Sequence, residues 1–179
     1  MSVSLSTTGG RLLDIGLPGQ LADETEAVID TLINESATGG LTIGGAAGGI
    51  DFGVAVGKGS ADNGCKVIAS NSDEAVGITV RLPLDSAVSA SSPVTGYGTG
   101  KAVGVLRFGT ICASAVEDVR AGDQVLAKVS AGGGLCSPAG GVATTGRLVV
   151  TGARWKTTTS SGSVGVIEVI GRQAAVLTS

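Results

Sequence analysis

Apolar and polar positions alternate along much of this chain, most clearly in VGVLRFGTICASAVEDVRAGDQVLAKV, residues 103–129. Val103, Val105 and Arg107 alternate with Leu106 and Phe108. Gly109 interrupts the run, and Ile111, Ala113 and Ala115 resume a period of two. Glu117 to Asp123 is a polar reversal, and Gln124 to Val129 leaves it as another strand. The stretch therefore predicts three consecutive strands. Period-two alternation with β-branched residues and Gly/Asp turns is the pattern of half-buried antiparallel sheet.

The rest of the chain follows the same pattern. Residues 1–20 are polar, then Gly-punctuated, and end at a Pro18-Gly19 turn signal. They predict an extended arm ahead of a β domain spanning 21–179. Stretched out, the arm would reach on the order of 60–70 Å, enough to cross a neighbouring subunit. TEAVIDTLINE, residues 25–35, carries both a helical spacing (Val28/Leu32, Ile29/Ile33) and β-branched content. The β-branched content favours strand. Residues 37–49 include six glycines among thirteen residues and read as a loop. Strands are expected at 50–56, with Gly53 as a bulge, and at 65–69, 75–82 and 147–151. Pro83 to Thr99 reads as a surface excursion, and 154–158 with 164–168 as a terminal hairpin. The fold expected is all-β: a small antiparallel β-barrel or sandwich of about eight to ten short strands with an extended N-terminal arm.

Composition sharpens this picture. The 31 glycines among 179 residues are more than twice the usual share of roughly 7%. The aromatic residues are Phe52, Tyr97, Phe108 and Trp155, so the core must be built from Val, Ile, Leu and Ala. Charged residues make up 15%, well below the usual quarter or so. Such a surface suits a protein largely covered by neighbours. The net charge of −3, with no basic cluster, argues against nucleic-acid binding and against an anionic membrane surface. No apolar run approaches the length needed to span a bilayer as a helix.

Candidate chemistry is sparse. The chain has no His, which removes Ser-His-Asp and Cys-His arrangements and most zinc and iron sites. Cys65, Cys112 and Cys136 are widely spaced and odd in number, as expected of small buried hydrophobes. The stretches 53–59 and 97–102 approach a phosphate loop, but both lack the hydroxyl after Lys and a helical pattern beyond it. Glu117, Asp118 and Asp123 sit on one reversal with Arg120 among them, where turn chemistry accounts for them. Asp62-Asn63-Gly64 is too short an oxygen set for calcium. No catalytic residue, metal ligand or cofactor is assigned, and no enzymatic activity is expected.

The order of landmarks is informative. LPGQLAD at 17–23 is followed by FGVAVGKG at 52–59, CKVI at 65–68 and GITVR at 77–81. GTI at 109–111, VRAGDQV at 119–125, GARW at 152–155 and VGVIEV at 164–169 complete the series. This series resembles the structural cement proteins of tailed bacteriophages, over roughly residues 17–170. The resemblance implies a β-barrel-like domain on the outer surface of the virion capsid, made in the host cytoplasm and without catalysis. It implies the major capsid protein and further copies of the chain as partners, a homotrimer in preference to a homodimer. Trp and Arg are favoured interface anchors. The residues expected to touch capsid or neighbouring subunits are therefore Arg11, Leu12, Leu13, Ile15, Leu17 and Pro18 of the arm, with Arg154, Trp155 and Lys156. The alternative reading is a carbohydrate- or receptor-binding β-domain of a phage fibre or tail, weakened by the scarcity of aromatics for a stacking platform.

Overall fold

The computed structural model describes residues 16–36, 41–43, 46–81, 96–129, 133–137 and 146–171. These form an all-β fold of twelve strands, with no helix among the described residues. In chain order they are β1 (Leu21–Asn34), β2 (Leu41–Ile43), β3 (Ala46–Asp51), β4 (Ala55–Lys58), β5 (Gly64–Val67) and β6 (Ala75–Thr79). Then follow β7 (Gly96–Tyr97), β8 (Ala102–Ser114), β9 (Gln124–Lys128), β10 (Gly134–Cys136), β11 (Arg147–Trp155) and β12 (Val164–Ile170). The main sheet has the order β1-β5-β4-β6-β8-β12-β11-β9-β10, with β1 also pairing β8.

Those pairings close two rings that share β8. The first runs β8-β6-β4-β5-β1 and returns to β8 through the β1–β8 ladder. The second runs β8-β12-β11-β9-β10 and returns where Ala115 bridges Leu135, the Val116 N–H donating to the Leu135 carbonyl at 2.9 Å. Closure reduces exposed sheet edges, which are sites for unwanted pairing. The ladders are antiparallel except β1–β5, which is parallel at Ile33↔Gly64 and Asn34↔Cys65, and the parallel bridge at Ala115. A small sheet of β2, β3 and β7 adds Ile50 and Tyr97 to the first ring's core.

The two rings have separate cores. Leu32, Val56, Cys65, Val67, Val103 and Val105 pack with Phe52 and Tyr97 in the smaller one. Phe52 and Tyr97 meet edge to face, ring centroids 5.0 Å apart, a favoured aromatic geometry. Ile111, Ala113, Val125, Leu135, Trp155 and Ile167 lie in the larger core, which also takes Ala55, Ile78 and Leu106 from strands of the first ring. Val56 thus serves one core and its neighbour Ala55 the other, as alternation along a strand requires.

One irregularity lets β8 serve both. Val28 pairs with Phe108, but the next residue, Ile29, pairs with Leu106. Arg107 is therefore the extra residue of a β-bulge, and the inward set shifts by one across it. Before the bulge Leu106 faces the larger core; after it Phe108 is turned outward and Ile111 inward. The expectation of two strands around Gly109 is corrected: β8 is one strand of 13 residues, and Gly109 (φ 123°) sits inside it.

Other expectations are also corrected. The Gly-rich stretch 37–49, expected as a loop, holds β2 and most of β3, which pair antiparallel at Leu41↔Gly49 and Ile43↔Ala46. The single strand expected over 50–56 is broken at Phe52-Gly53, where Gly53 has φ +72°. There Gly53 packs on Pro18-Gly19: a Cβ on Gly19 (φ +82°) would lie 2.7 Å from the Phe52 Cβ. The Gly19 N–H donates to the Cys112 carbonyl at 2.8 Å, and its carbonyl accepts from Arg81 at 2.6 Å. The described end of the N-terminal stretch, Gly16 to Gln20, is thus bonded to the barrel. The strand of 147–151 and the first hairpin arm are one strand, β11, and β10 went unread because it is three residues long.

Trp155 anchors the larger core. It is 1% exposed, and its indole N–H donates to the Cys136 carbonyl at 3.1 Å. Gly165 faces it, where a Cβ would stand 3.0 Å from the indole ring. Trp155→Ala should cost about 3–5 kcal/mol, read as a lower urea midpoint with a similar slope. As the chain's sole Trp, its native emission should be blue-shifted and move red on unfolding. Native emission already at the solvent-exposed wavelength would contradict this placement.

Candidate interaction surfaces

The titratable groups expected to be structural are engaged in structural bonds. Glu117 accepts from Lys128 Nζ and from Arg147 Nη2, each at 2.7 Å, while Arg147 Nη1 reaches the Ser137 carbonyl. The Lys128 hydrogen bond holds the Glu117 carboxyl below its ordinary range; partial burial opposes this and the two cationic charges add to it. Asp118 accepts from the Ser161 N–H at 2.8 Å, and Asp123 from the Arg120 N–H at 3.2 Å. The three carboxylates of this reversal therefore have different partners and form no acid/base pair.

Glu35 reaches into the 59–64 loop and accepts from the Ser60 hydroxyl at 2.7 Å and the Ser60 and Ala61 N–H groups at 2.6 and 3.0 Å. These bonds, the hydroxyl first, lower its pKa. Burial pushes Asp73 upward, but bonds from Lys66 and the Ala69 and Ser70 N–H groups outweigh it, and its pKa is lowered. The first near-phosphate stretch, expected as a turn, is mostly strand β4 after a turn at Phe52-Gly53, and the second is a turn in which the Lys101 N–H donates to the Gly98 carbonyl at 3.2 Å before β8. No cluster of three or more His, Cys, Asp or Glu among the described residues is placed to hold a metal ion. Cys65, Cys112 and Cys136 are free and buried, as expected. Burial pushes the Cys65 and Cys136 thiols up to about 11, far from the thiolate that nucleophilic chemistry needs.

The described residues among those expected at interfaces lie on the N-terminal stretch and at the end of β11. Arg11, Leu12, Leu13 and Ile15 lie outside the described residues. Leu17 is 56% exposed beside the half-buried Pro18. Arg154 and Lys156 are exposed, Arg154 donating to the Gly122 carbonyl and Lys156 pairing with Glu168 at 3.1 Å. The expectation that Trp155 anchors an interface is corrected: strand alternation puts it on the inner face, opposite its two cationic neighbours.

A cleft of about 870 Å³, not legible in the sequence, opens where the β6–β8 ladder ends at Leu106 and the β12–β8 ladder begins at Phe108. Val28, Phe108 and Ile170 are cross-strand neighbours on β1, β8 and β12, and all three are exposed. Val149 adds a further exposed side chain from β11. Three of the six large exposed hydrophobics among the described residues, Val28, Phe108 and Val149, line this cleft, and Ile170 lies beside Phe108. Arg107 crosses it, its Nε donating to Asp30 at 2.8 Å and its Nη1 to the Val76 carbonyl. A plain period-two reading of β8 hides this patch, since only the bulge turns Phe108 outward.

These features define a closed β scaffold whose charged groups brace turns and whose apolar surface is concentrated at one cleft. The family described as structural cement protein (E217 gp24/Pam3 gp6) matches residues 5–170, and the chain belongs to it. It is therefore a bacteriophage structural protein of the capsid, and the resemblance read from the ordered landmarks is borne out. Among solved structures, a chain from the capsid of Myoviridae phage XM1 is similar, with a TM-score of 0.61 and 14% identity. The likeness covers 94% of this chain and 98% of that one, and at this identity it concerns the fold. No curated protein matches the chain.

Glu117 and Asp73 bind protons more weakly folded than unfolded. Their stabilisation is complete above the unfolded carboxylate value of about 4 and is lost as pH falls through the lowered folded values. Melting temperature should be flat from neutral pH down to about 5 and fall below it. Glu117→Gln should lose on the order of 1 kcal/mol at pH 7 and show a shallower acid limb; an unchanged limb would discount the Lys128–Glu117–Arg147 cluster. Separately, native protein at pH 8 should leave Cys65 and Cys136 unmodified by a thiol reagent that labels them in urea, as mass mapping would show.

Proposed function

We propose that this chain is a capsid decoration protein. It binds the outer surface of the assembled shell as an oligomer, bridges neighbouring major capsid proteins and stabilises the shell mechanically. The observation that carries this reading is the match to the structural cement family over residues 5–170. The two closed rings support it: a brace must resist deformation, and a doubly closed β scaffold has few ways to yield.

A specific contact needs more than about 1,000 Å² of buried surface. A homotrimer, in preference to a homodimer, would present several such contacts to a fixed lattice, where multivalency raises avidity. The arm residues Arg11, Leu12, Leu13, Ile15, Leu17 and Pro18, with exposed Arg154 and Lys156, are the proposed contacts; Trp155 acts behind them from the core.

Purified protein mixed with undecorated capsids should sediment with them at micromolar concentration and raise the capsid melting temperature by linkage. Protein left in the supernatant, with capsid melting unmoved, would defeat the proposal. Deleting residues 1–15 should weaken sedimentation, and mass measurement in solution separates trimer from dimer.

A further inference from the structure

We infer that the segment from Gly16 to Gln20 is a strap that ties the two rings together across their shared strand, and that it releases as a unit, baring Cys112, while both rings stay folded. The inference concerns the scaffold itself and does not depend on the decoration reading.

Backbone bonds seat the strap on both rings. On the second ring's half of β8, the Gly19 N–H donates to the Cys112 carbonyl at 2.8 Å, and the Cys112 N–H donates to the Gln20 carbonyl at 2.9 Å. On the first ring, the Arg81 N–H, two residues beyond β6, donates to the Gly19 carbonyl at 2.6 Å. Gly19 is thus held by one ring through its N–H and by the other through its carbonyl. Within the strap, the Gln20 N–H donates to the Leu17 carbonyl at 3.0 Å, and Gln20 Oε1 accepts from the Leu17 N–H at 3.1 Å. The catch is a pair of glycines. A Cβ on Gly53 (φ +72°) would lie 2.8 Å from the Gly19 nitrogen, and one on Gly19 (φ +82°) would lie 3.0 Å from the Arg81 nitrogen. The close approach therefore needs glycine at both positions. A pull on the N-terminal stretch is shared between the rings through this turn.

The strap lies over a thiol that the ring interiors do not hold. Ile111 and Ala113 lie in the larger core, so Cys112 between them points to the opposite face of β8. Cys112 is nevertheless only 3% exposed, and it belongs to neither core. Gly16 packs on it: a Cβ there would be 3.1 Å from the Cys112 Sγ. The strap itself has little apolar anchorage. None of residues 16–20 belongs to either core, Pro18 is half-buried and Leu17 is exposed. It is held by backbone bonds and glycine packing, and segments with few buried apolar contacts open at lower free energy than the strands beneath them.

The test follows thiol labelling of the folded, full-length chain by mass mapping. Cys112 should react through strap opening, about tenfold or more faster than Cys65, which sits in the first ring's core. Gly19→Ala and Gly53→Ala each put a methyl group into the catch and a Cβ on left-handed backbone. Each should speed Cys112 labelling by a further factor of about ten, with circular dichroism and Cys65 protection unchanged. Should these variants fail to fold, Gln20→Ala, which removes only the side-chain bond to Leu17, should raise the Cys112 rate by a smaller factor. Deleting residues 1–15 leaves the strap in place and should leave the Cys112 rate unchanged.

Selective labelling of Cys112 in the strap variants, with urea unfolding still cooperative and of unchanged slope, supports the inference. Equal rates for Cys112 and Cys65 in wild type and in every strap variant overturn it, because the segment then opens only with the rings. If the variants raise both rates together, the catch belongs to the global fold and there is no releasable strap. If deleting residues 1–15 bares Cys112 as fully as Gly19→Ala, the preceding residues cover the thiol and the inference fails.

Discussion

The fold depends on the bulge at Arg107. A single strand of 13 residues is shared by two rings with different interiors, and a strand of strict period two can face only one of them properly. Inserting one residue opposite β1 shifts the inward set between Leu106 and Ile111. It also bends β8 at the point where its second edge passes from β6 to β12. The extra residue has to be long and polar, because it projects where two strands separate. The Arg107 guanidinium satisfies the Val76 carbonyl left by the departing ladder and pairs with Asp30 across β1. The ion pair is half exposed and contributes little alone; filling an otherwise vacant carbonyl at a strand fork matters more.

Much of the architecture is legible in the sequence. β-Branched content places a strand within β1 against a helical spacing, strands are also read at β6, β9 and β12, and the absence of His with scattered Cys correctly points to buried thiols. What alternation could not show was continuity. Gly109 looks like a break because glycine usually ends a strand, yet here it lies inside β8, where its φ of 123° suits a glycine. The glycines of 37–49 look like a loop because they offer no side chains to alternate, although the backbone of β3 pairs with β2 and β7. Trp155 shows a related limit: the sequence says that a lone Trp matters but not which face of β11 it occupies. The ladder settles it, placing the indole beside bare Gly165 and under the Cys136 carbonyl.

The cleft was the least legible feature for a physical reason. None of Val28, Phe108, Val149 and Ile170 looks unusual in its own segment, because each is an apolar residue in an apolar strand. They become a surface only when register sets Val28 beside Phe108 and Phe108 beside Ile170. Register depends on the bulge, and a bulge leaves no composition signal beyond one polar residue in an apolar run. The exposed patch and the two-core design thus share one cause. The extra residue that lets β8 serve both interiors also turns Phe108 out and opens the fork beside it.

This coupling bears on how a thin-cored protein can act as a brace. Val, Ile, Leu and Ala make small cores, and one wide barrel built from them would leave a hollow centre. Two narrow rings sharing a wall can be filled by such residues, with Phe52 and Tyr97 closing one core and Trp155 anchoring the other. Rigidity then comes from closure and cross-strand bonding more than from bulky packing. The geometric cost of joining two rings is the fork, where strand edges and apolar side chains cannot all be covered from within one chain. In a free monomer that fork is an exposed patch of the kind usually hidden. In a protein whose low charge already suits covered surroundings, it is the part of the scaffold most in need of a neighbour.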